Sequence, residues 1–270
     1  MNSRVTILIP NLNGDKYLSA ALDSCLMQTY RCEVIVVDNG SIDGSLDILD
    51  SYSARFPNIV KFEFSGGGIS GALNYGLEKS SREFICRLDS DDFMESNRVE
   101  IQLKYLEAHP EVQLVGSQVK YVDHQGLGLG LSSYPIGSQN IERALAISNP
   151  IAHPSVMIRK SAVIAAGGYR ARYNGAEDFD LWMRVIKVGK IDNLSLPLTN
   201  YRRHPSQESV RKNLYAVELR VRKQYVFNVL FRNSSSLIFK CLFLLRTLDL
   251  LFMARGFDLH RKVLRKLKSL

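Results

Sequence analysis

Through the first 110 residues, short apolar runs alternate with stretches that carry an apolar residue every three or four positions. This alternation predicts a β-α-β-α-β framework. Val5-Thr6-Ile7-Leu8-Ile9 reads as a strand and ends in the turn-forming Pro10-Asn11-Leu12-Asn13-Gly14. Leu18, Leu22, Cys25 and Leu26 then recur at helical spacing over 15–28. Residues 32–37 are almost continuously apolar, as in a strand buried on both faces of a parallel sheet. A helix through Leu46, Leu49 and Tyr52, a strand over 59–64, a helix through Ala72, Leu73 and Leu77 and a strand over 84–88 follow. Farther on, the pattern predicts a helix over 97–108, strands over 111–122 and 196–200, and a turn entering a strand over 150–158. Residues 127–139, rich in Gly and Ser, read as a loop over the site. A helix opens at Glu177 with an apolar stripe of Phe179, Trp182, Met183 and Ile186.

The polar residues gather where the strands end, which is where open α/β sheets bind ligands. After the first strand comes Pro10 to Gly14; after the second, Asp38-Asn39-Gly40-Ser41; after the third, Gly66-Gly67-Gly68-Ile69-Ser70-Gly71; after the fourth, Asp89-Ser90-Asp91-Asp92. Three carboxylates in four residues repel one another unless solvent, donors or a cation compensate them. A hard divalent cation such as Mg²⁺ or Mn²⁺ suits oxygen ligands and would bridge to the phosphates of a nucleotide. The alternative is an exposed acidic turn capping the next helix. For Asp38 the alternative is an Asx-turn residue, and for the glycines a plain flexible turn. A second acidic group, Glu177-Asp178-Phe179-Asp180, opens its helix, where acids also complement the helix dipole. His153, before a proline, is either a ligand contact or a packed core residue.

Composition narrows the class. The 270 residues are 46% hydrophobic and 23% charged, enough for one large α/β domain with an appendage. The four cysteines show no metal-ligand or disulfide spacing, and the first strand follows the N-terminus without a signal-peptide pattern, so the expectation is the cytoplasmic side. The formal charge is +8, yet residues 211–270 hold fourteen Lys+Arg against three acids, leaving −3 on the first 210. A basic tail on an acidic body points to an anionic membrane surface and away from nucleic acid.

Taken as an ordered series, these segments resemble the family-2 inverting glycosyltransferases. The resemblance is carried by residues 5–13, Gln28-Thr29-Tyr30, 36–45, 68–76, 88–92, His153-Pro154-Ser155, Gly167-Gly168-Tyr169, 177–184 and Tyr201-Arg202-Arg203-His204. It implies a GT-A fold over residues 1–210: a Rossmann-like mixed sheet flanked by helices, with residues 211–270 as a helical, basic appendage. It implies that Pro10, Asn11 and Asn13 form the base of a nucleotide-sugar pocket, that Asp38 accepts from the nucleobase, and that Gly68 and Ile69 lie beside the nucleoside. Asp89 would face the ribose or metal, Asp91 would be the main metal ligand, Arg202 would pair with phosphate and His204 would approach the metal. Asp178 would be the general base, with Glu177 as the fallback. Asn39 and Leu73 stand where many relatives have Asp and Arg, which leaves the base and the donor open.

The implied activity is single-displacement transfer from a UDP- or dTDP-sugar to a hydroxyl of a glycan or lipid-linked oligosaccharide in surface polysaccharide synthesis. Two rivals are a sugar-phosphate nucleotidyltransferase and a non-catalytic, membrane-associated nucleotide-sugar-binding protein. The first predicts basic residues after strand one, and Pro10 to Gly14 has none. In the tail, Leu237, Cys241, Leu244, Leu245, Leu248 and Phe252 make a helical stripe broken by charges, and residues 261–268 are strongly basic. This composition predicts a helix lying on an anionic bilayer and not crossing it; the alternative is a helical subdomain packed on the catalytic domain.

Overall fold

A computed structural model describes residues 3–205, 207, 214–231 and 237–254. The strands are β1 (Val5–Asn11), β2 (Glu33–Asp38), β3 (Ile59–Glu63), β4 (Phe84–Arg87), β5 (Phe93–Met94), β6 (Val112–Val122), β7 (Gly128–Leu131), β8 (Met157–Arg159) and β9 (Lys190–Arg202). The helices are α1 (Asp15–Leu26), α2 (Ser45–Arg55), α3 (Gly68–Lys79), α4 (Arg98–Ala108), α5 (Ser138–Leu145), α6 (Lys160–Ala165), α7 (Glu177–Val185), α8 (Leu214–Phe231) and α9 (Leu237–Ala254).

One mixed sheet runs β3-β2-β1-β4-β8-β6-β9-β5, with β7 paired to β6. Strands β3, β2, β1 and β4 are parallel, and β8 meets β4 and β6 antiparallel. Side chains alternate across this sheet as period-two geometry requires. Leu8, Ile35, Val37 and Ile85 face α3 and α7, whereas Ile7, Ile9, Val36 and Cys86 face α1, α2 and α4.

The chain winds outward from β1 to β2 and β3, then returns to place β4 on the other side of β1. That reversal opens a crevice at the carboxyl ends of β1 and β4. Strand β1 continues through Pro10 to Asn11, beyond the expected end at Ile9. The Leu8 carbonyl accepts from Leu88 N, so Pro10, two residues on, points its missing donor to the side that β4 has left. Proline therefore costs no ladder hydrogen bond here, and it sits where the strands part.

Several boundaries differ from expectation. Residues 127–139 are not a plain loop: Gly126, at φ +90°, closes a hairpin from β6 into β7, and α5 begins at Ser138. The low strand propensity of Gly128 and Gly130 hid that strand. Strand β9 is thirteen residues long, held by parallel pairing with β6. The glycines after β3 lead directly into α3, which starts at Gly68.

The described tail helices pack on the body. Val221, Tyr225 and Phe243 join the same core cluster as Phe179 and Trp182 of α7. On α9, Phe243, Thr247 and Leu250 are buried while Cys241, Leu245 and Leu248 are exposed, so this helix is apolar on two sides. Among the described residues no helix is long and apolar enough to cross a membrane. The basic stretch 261–268 lies outside the described residues.

Candidate active site

The acidic loop follows β4 without a break. Asp89, Asp91 and Asp92 each bring a carboxylate oxygen within 4.8 Å of the others. Asp92 is buried; its Oδ1 accepts from Arg202 N at 2.7 Å, and its Oδ2 has no hydrogen-bond partner among the described residues. Burial, then the charges of Asp91 and Asp89, push the Asp92 carboxyl well above the usual range. Burial also raises Asp89, against the pull of Arg87, whose Nη2 it binds. Asp91 Oδ2 and His204 Nε2 share a hydrogen bond at 2.9 Å. A buried carboxylate oxygen with no partner, beside two more hard oxygens, fits a divalent cation.

Arg202 is held by backbone carbonyls. Its Nε donates to the Asp91 carbonyl at 2.9 Å, and its Nη1 donates to the carbonyls of Asp123 and His124, both at 3.2 Å. The guanidinium lies over the Tyr17 ring, which also packs against His204. These contacts brace the acidic loop against α1 and the β6–β7 hairpin.

Around the nucleotide end, Asn11, Asn13 and Asp38 form one network. Asn11 Nδ2 donates to Asp38 Oδ1 at 2.8 Å, Ser41 Oγ donates to the same oxygen at 2.6 Å, and Gly40 N and Ser41 N donate to Oδ2. Asp38 thus forms the Asx-type turn that was the alternative to base recognition. Asn13, at φ +52°, donates from its backbone to Ser41 Oγ and accepts from Ile42 N, locking the loops after β1 and β2 together. Gly68, at φ +61°, lies against Asn174, whose side chain donates to the Gly67 carbonyl and accepts from Ser70 N. The start of α3 is therefore capped by a side chain from the loop before α7. Ile69 is partly buried against the α3–α7 core.

The second acidic group opens α7. Asp178 is partly exposed; its Oδ1 accepts from Phe179 N at 2.7 Å and its Oδ2 from Asn149 Nδ2 at 2.6 Å. Burial raises its carboxyl, and those donors offset part of the rise. Glu177 is buried and accepts from Gly175 N at 2.6 Å. Burial, followed by the neighbouring charge of Asp178, pushes Glu177 up to about 7. His153 Nδ1 lies 3.8 Å from Glu177 Oε1, too far for a hydrogen bond. Burial and Arg87 hold that imidazole neutral, and its Nε2 pairs with the Tyr169 hydroxyl at 3.0 Å, so the packed-core reading of His153 describes its place. The crevice thus has an acidic cation site at one end and, from α7, a partly exposed carboxylate held by two donors.

Sequence reasoning missed Arg87, Asp92 as a ligand in its own right, Tyr17 and Asn149. Only Arg87 left a signal: a charge inside a short buried strand is rare enough to need a reason.

Comparison with known proteins gives the same fold and a family. S. aureus TarS 1-349 in complex with UDP-GlcNAc superposes with a TM-score of 0.73 at 19% identity, over 93% of this chain and 73% of that one, and the fold is GT-A. The O-antigen biosynthesis glycosyltransferase WbnJ of Escherichia coli is 32% identical over 217 residues, covering 78% of this chain and 84% of that protein. The UDP-Gal:alpha-D-GlcNAc-diphosphoundecaprenol beta-1,3-galactosyltransferase of Escherichia coli is 27% identical, over 78% of each. The profile described as Glycosyl transferase family 2 matches residues 6–167, and the chain belongs to that family.

Proposed function

We propose that this protein is an inverting glycosyltransferase that moves a sugar from a UDP- or dTDP-sugar to a hydroxyl of a glycan or lipid-linked oligosaccharide. The observation that carries this reading is the nearness of a cation-ready acidic loop to the Glu177–Asp178 carboxylates, with Asp178 within electrostatic reach of Asp89. Inversion needs a base on the face of the sugar opposite the leaving group, and Asp178, partly exposed and held by Asn149, suits that role. Glu177, buried and raised to about 7, remains the fallback. Asp89, Asp91 and Asp92, with His204 beside Asp91, would hold Mn²⁺ or Mg²⁺. The cation supplies counter-charge to a departing nucleoside diphosphate.

Pro10, Asn11 and Asn13 shape the floor of the donor pocket where β1 leaves β4, with Gly68 and Ile69 along its side. Asp38 would take a base N–H if the Ser41 hydroxyl, one of its four donors, rotates away. The names of the two Escherichia coli relatives favour a role in building surface polysaccharide on a lipid-linked acceptor. The exposed Cys241, Leu245 and Leu248 stripe of α9, followed by basic sequence, favours a peripheral position on the cytoplasmic face of an anionic membrane.

The test is a thermal-shift screen against UDP, dTDP, GDP and CMP with and without Mn²⁺, repeated on Asp91→Ala. Stabilisation by one nucleotide that requires Mn²⁺ and disappears in the variant is the expected result. No response to any nucleotide, with or without phosphatidylglycerol vesicles, would overturn the donor site.

A further inference from the structure

Two arginines are buried beside β4, and they are treated oppositely. Arg98, the first residue of α4, donates to the carbonyls of Pro154, Arg87 and Val156 and to Gln102 Oε1, so every side-chain nitrogen has a partner. Arg87, the last residue of β4, is 2% exposed and, among the described residues, pairs with Asp89 while its Nε and Nη1 make no hydrogen bond. A buried guanidinium with unmet donors is unfavourable to the fold and asks for another explanation.

Its position supplies one. Arg87 is paired in register with Leu8, and so shares the sheet face turned to α3 and α7. On that face it lies at the carboxyl end of the strand, in contact with Asp89 of the acidic loop and within electrostatic reach of Glu177, Asp178, Tyr169 and His153. Burial alone would favour loss of its proton; the charges of Asp89, Tyr169 and Glu177 more than offset this, so it stays cationic. The groups facing the Glu177–Asp178 pair are Arg87 from β4, Asp89 after it, Tyr134 after β7, Asn149 after α5, His153 and Tyr169. Among these Arg87 is the one cation, because burial keeps His153 neutral.

We propose that Arg87 is a positioning residue for the transfer, a single buried guanidinium serving both carboxylate centres. Asp89 anchors it on the donor side, and it supplies the counter-charge that keeps Glu177–Asp178 ready to take a proton on the acceptor side. This rests on the glycosyltransferase reading of the crevice, but it can be tested without turnover.

The experiment is a carboxyl ¹³C NMR titration of full-length wild type, R87Q and R87K, with E177Q and D178N assigning the two resonances. Thermal melts and the binding of UDP, dTDP, GDP and CMP in Mn²⁺ are recorded on the same samples. In R87Q the pair should titrate about one pH unit or more higher than in wild type, since losing a cation favours the protonated forms. R87K should restore most of the shift; R87Q loses the ion pair with Asp89, so a lower melting temperature by itself does not discriminate. A merely structural arginine predicts a lower melting temperature with unmoved titrations. That result, or loss of the folded state in both R87Q and R87M, overturns the proposal. If wild type binds one of these nucleotides while the titrations do not move, the role of Arg87 fails and the donor site stands. If wild type binds no nucleotide, the glycosyltransferase reading fails, and Arg87 with it as a residue of the transfer.

Discussion

Tyr225 of α8 donates a 2.9 Å hydrogen bond to Asp180 Oδ1 of α7, three residues from Glu177. Asp180 is fully buried; its Oδ2 takes Nε and Nη2 of Arg184, and Arg170 stands 3.7 Å from its Oδ1. Arg222, also on α8, lies between the rings of Phe179 and Phe243 and donates to the Ala146 carbonyl at 2.7 Å. The described tail is therefore bolted to the helix that carries the candidate base. Replacing Tyr225 by Phe removes only the hydroxyl, and a buried hydrogen bond to a charged acceptor contributes about 1.5–3 kcal/mol. Urea unfolding of Tyr225→Phe should show a loss of that order, and an unchanged midpoint would mean the tail packs without the bond.

The contact between Gly68 and Asn174 makes a second prediction. A Cβ at Gly68 would collide with Nδ2 of Asn174, and φ +61° disfavours any side chain there. Gly68→Ala should cost on the order of 1–3 kcal/mol. Asn174→Ala alone should cost less, by loss of its cap on α3. In the double variant the collision is gone, so the two losses should sum to more than the measured total. Strict additivity in chemical denaturation would show that backbone strain, and not the side chain, sets the cost.

Asp92 offers a trade between stability and cation binding. Its Oδ2 is buried without a partner among like charges, whereas Asn there would place an N–H₂ toward Asp89 and Asp91 and keep the Oδ1 contact with Arg202 N. Without cation, Asp92→Asn should melt higher than wild type. With Mn²⁺ the order should reverse, because wild type gains binding energy that the variant largely lacks, an affinity loss of about 10–100-fold. An equal Mn²⁺ shift in both proteins would remove Asp92 from the cation site.

The fold was legible because the strands announce themselves. Residues 5–9, 32–37 and 84–88 are apolar runs ended by polar loops, and the order of those loops located the crevice. What stayed hidden depends on tertiary contact. Strand β7 has two glycines in four residues and exists because β6 pairs with it. No local pattern shows that three backbone carbonyls converge on Arg202. The tail stripe read from the sequence includes the exposed Cys241, Leu245 and Leu248, whereas the side that packs inward carries Phe243 and Leu250, which were not in the stripe and differ from it only in where the body stands.

The division of labour at the start of α7 predicts that its two acids fail differently. Asp178→Asn keeps the shape and the Phe179 N contact but cannot take a proton, so turnover should fall by about 10²–10⁴-fold. Nucleotide binding in Mn²⁺ should be unchanged. If sugar release from the donor persists at the wild-type rate in a coupled UDP assay, Asp178 is not the base.

Glu177 should instead reveal itself through stability. Its carboxyl is raised from 4.5 to about 7, by burial and then by Asp178, so between those values the folded protein holds a proton that the unfolded chain has released. The contribution of Glu177 is therefore fully present below pH 4.5 and is lost as pH rises through about 7. Gln mimics the protonated side chain and does not titrate. Glu177→Gln should match wild type in denaturant stability at pH 4.5 and exceed it at pH 8 by on the order of a few kcal/mol. A difference that does not change with pH would mean that Glu177 ionises normally and that the burial of its side chain is offset by donors such as Gly175 N.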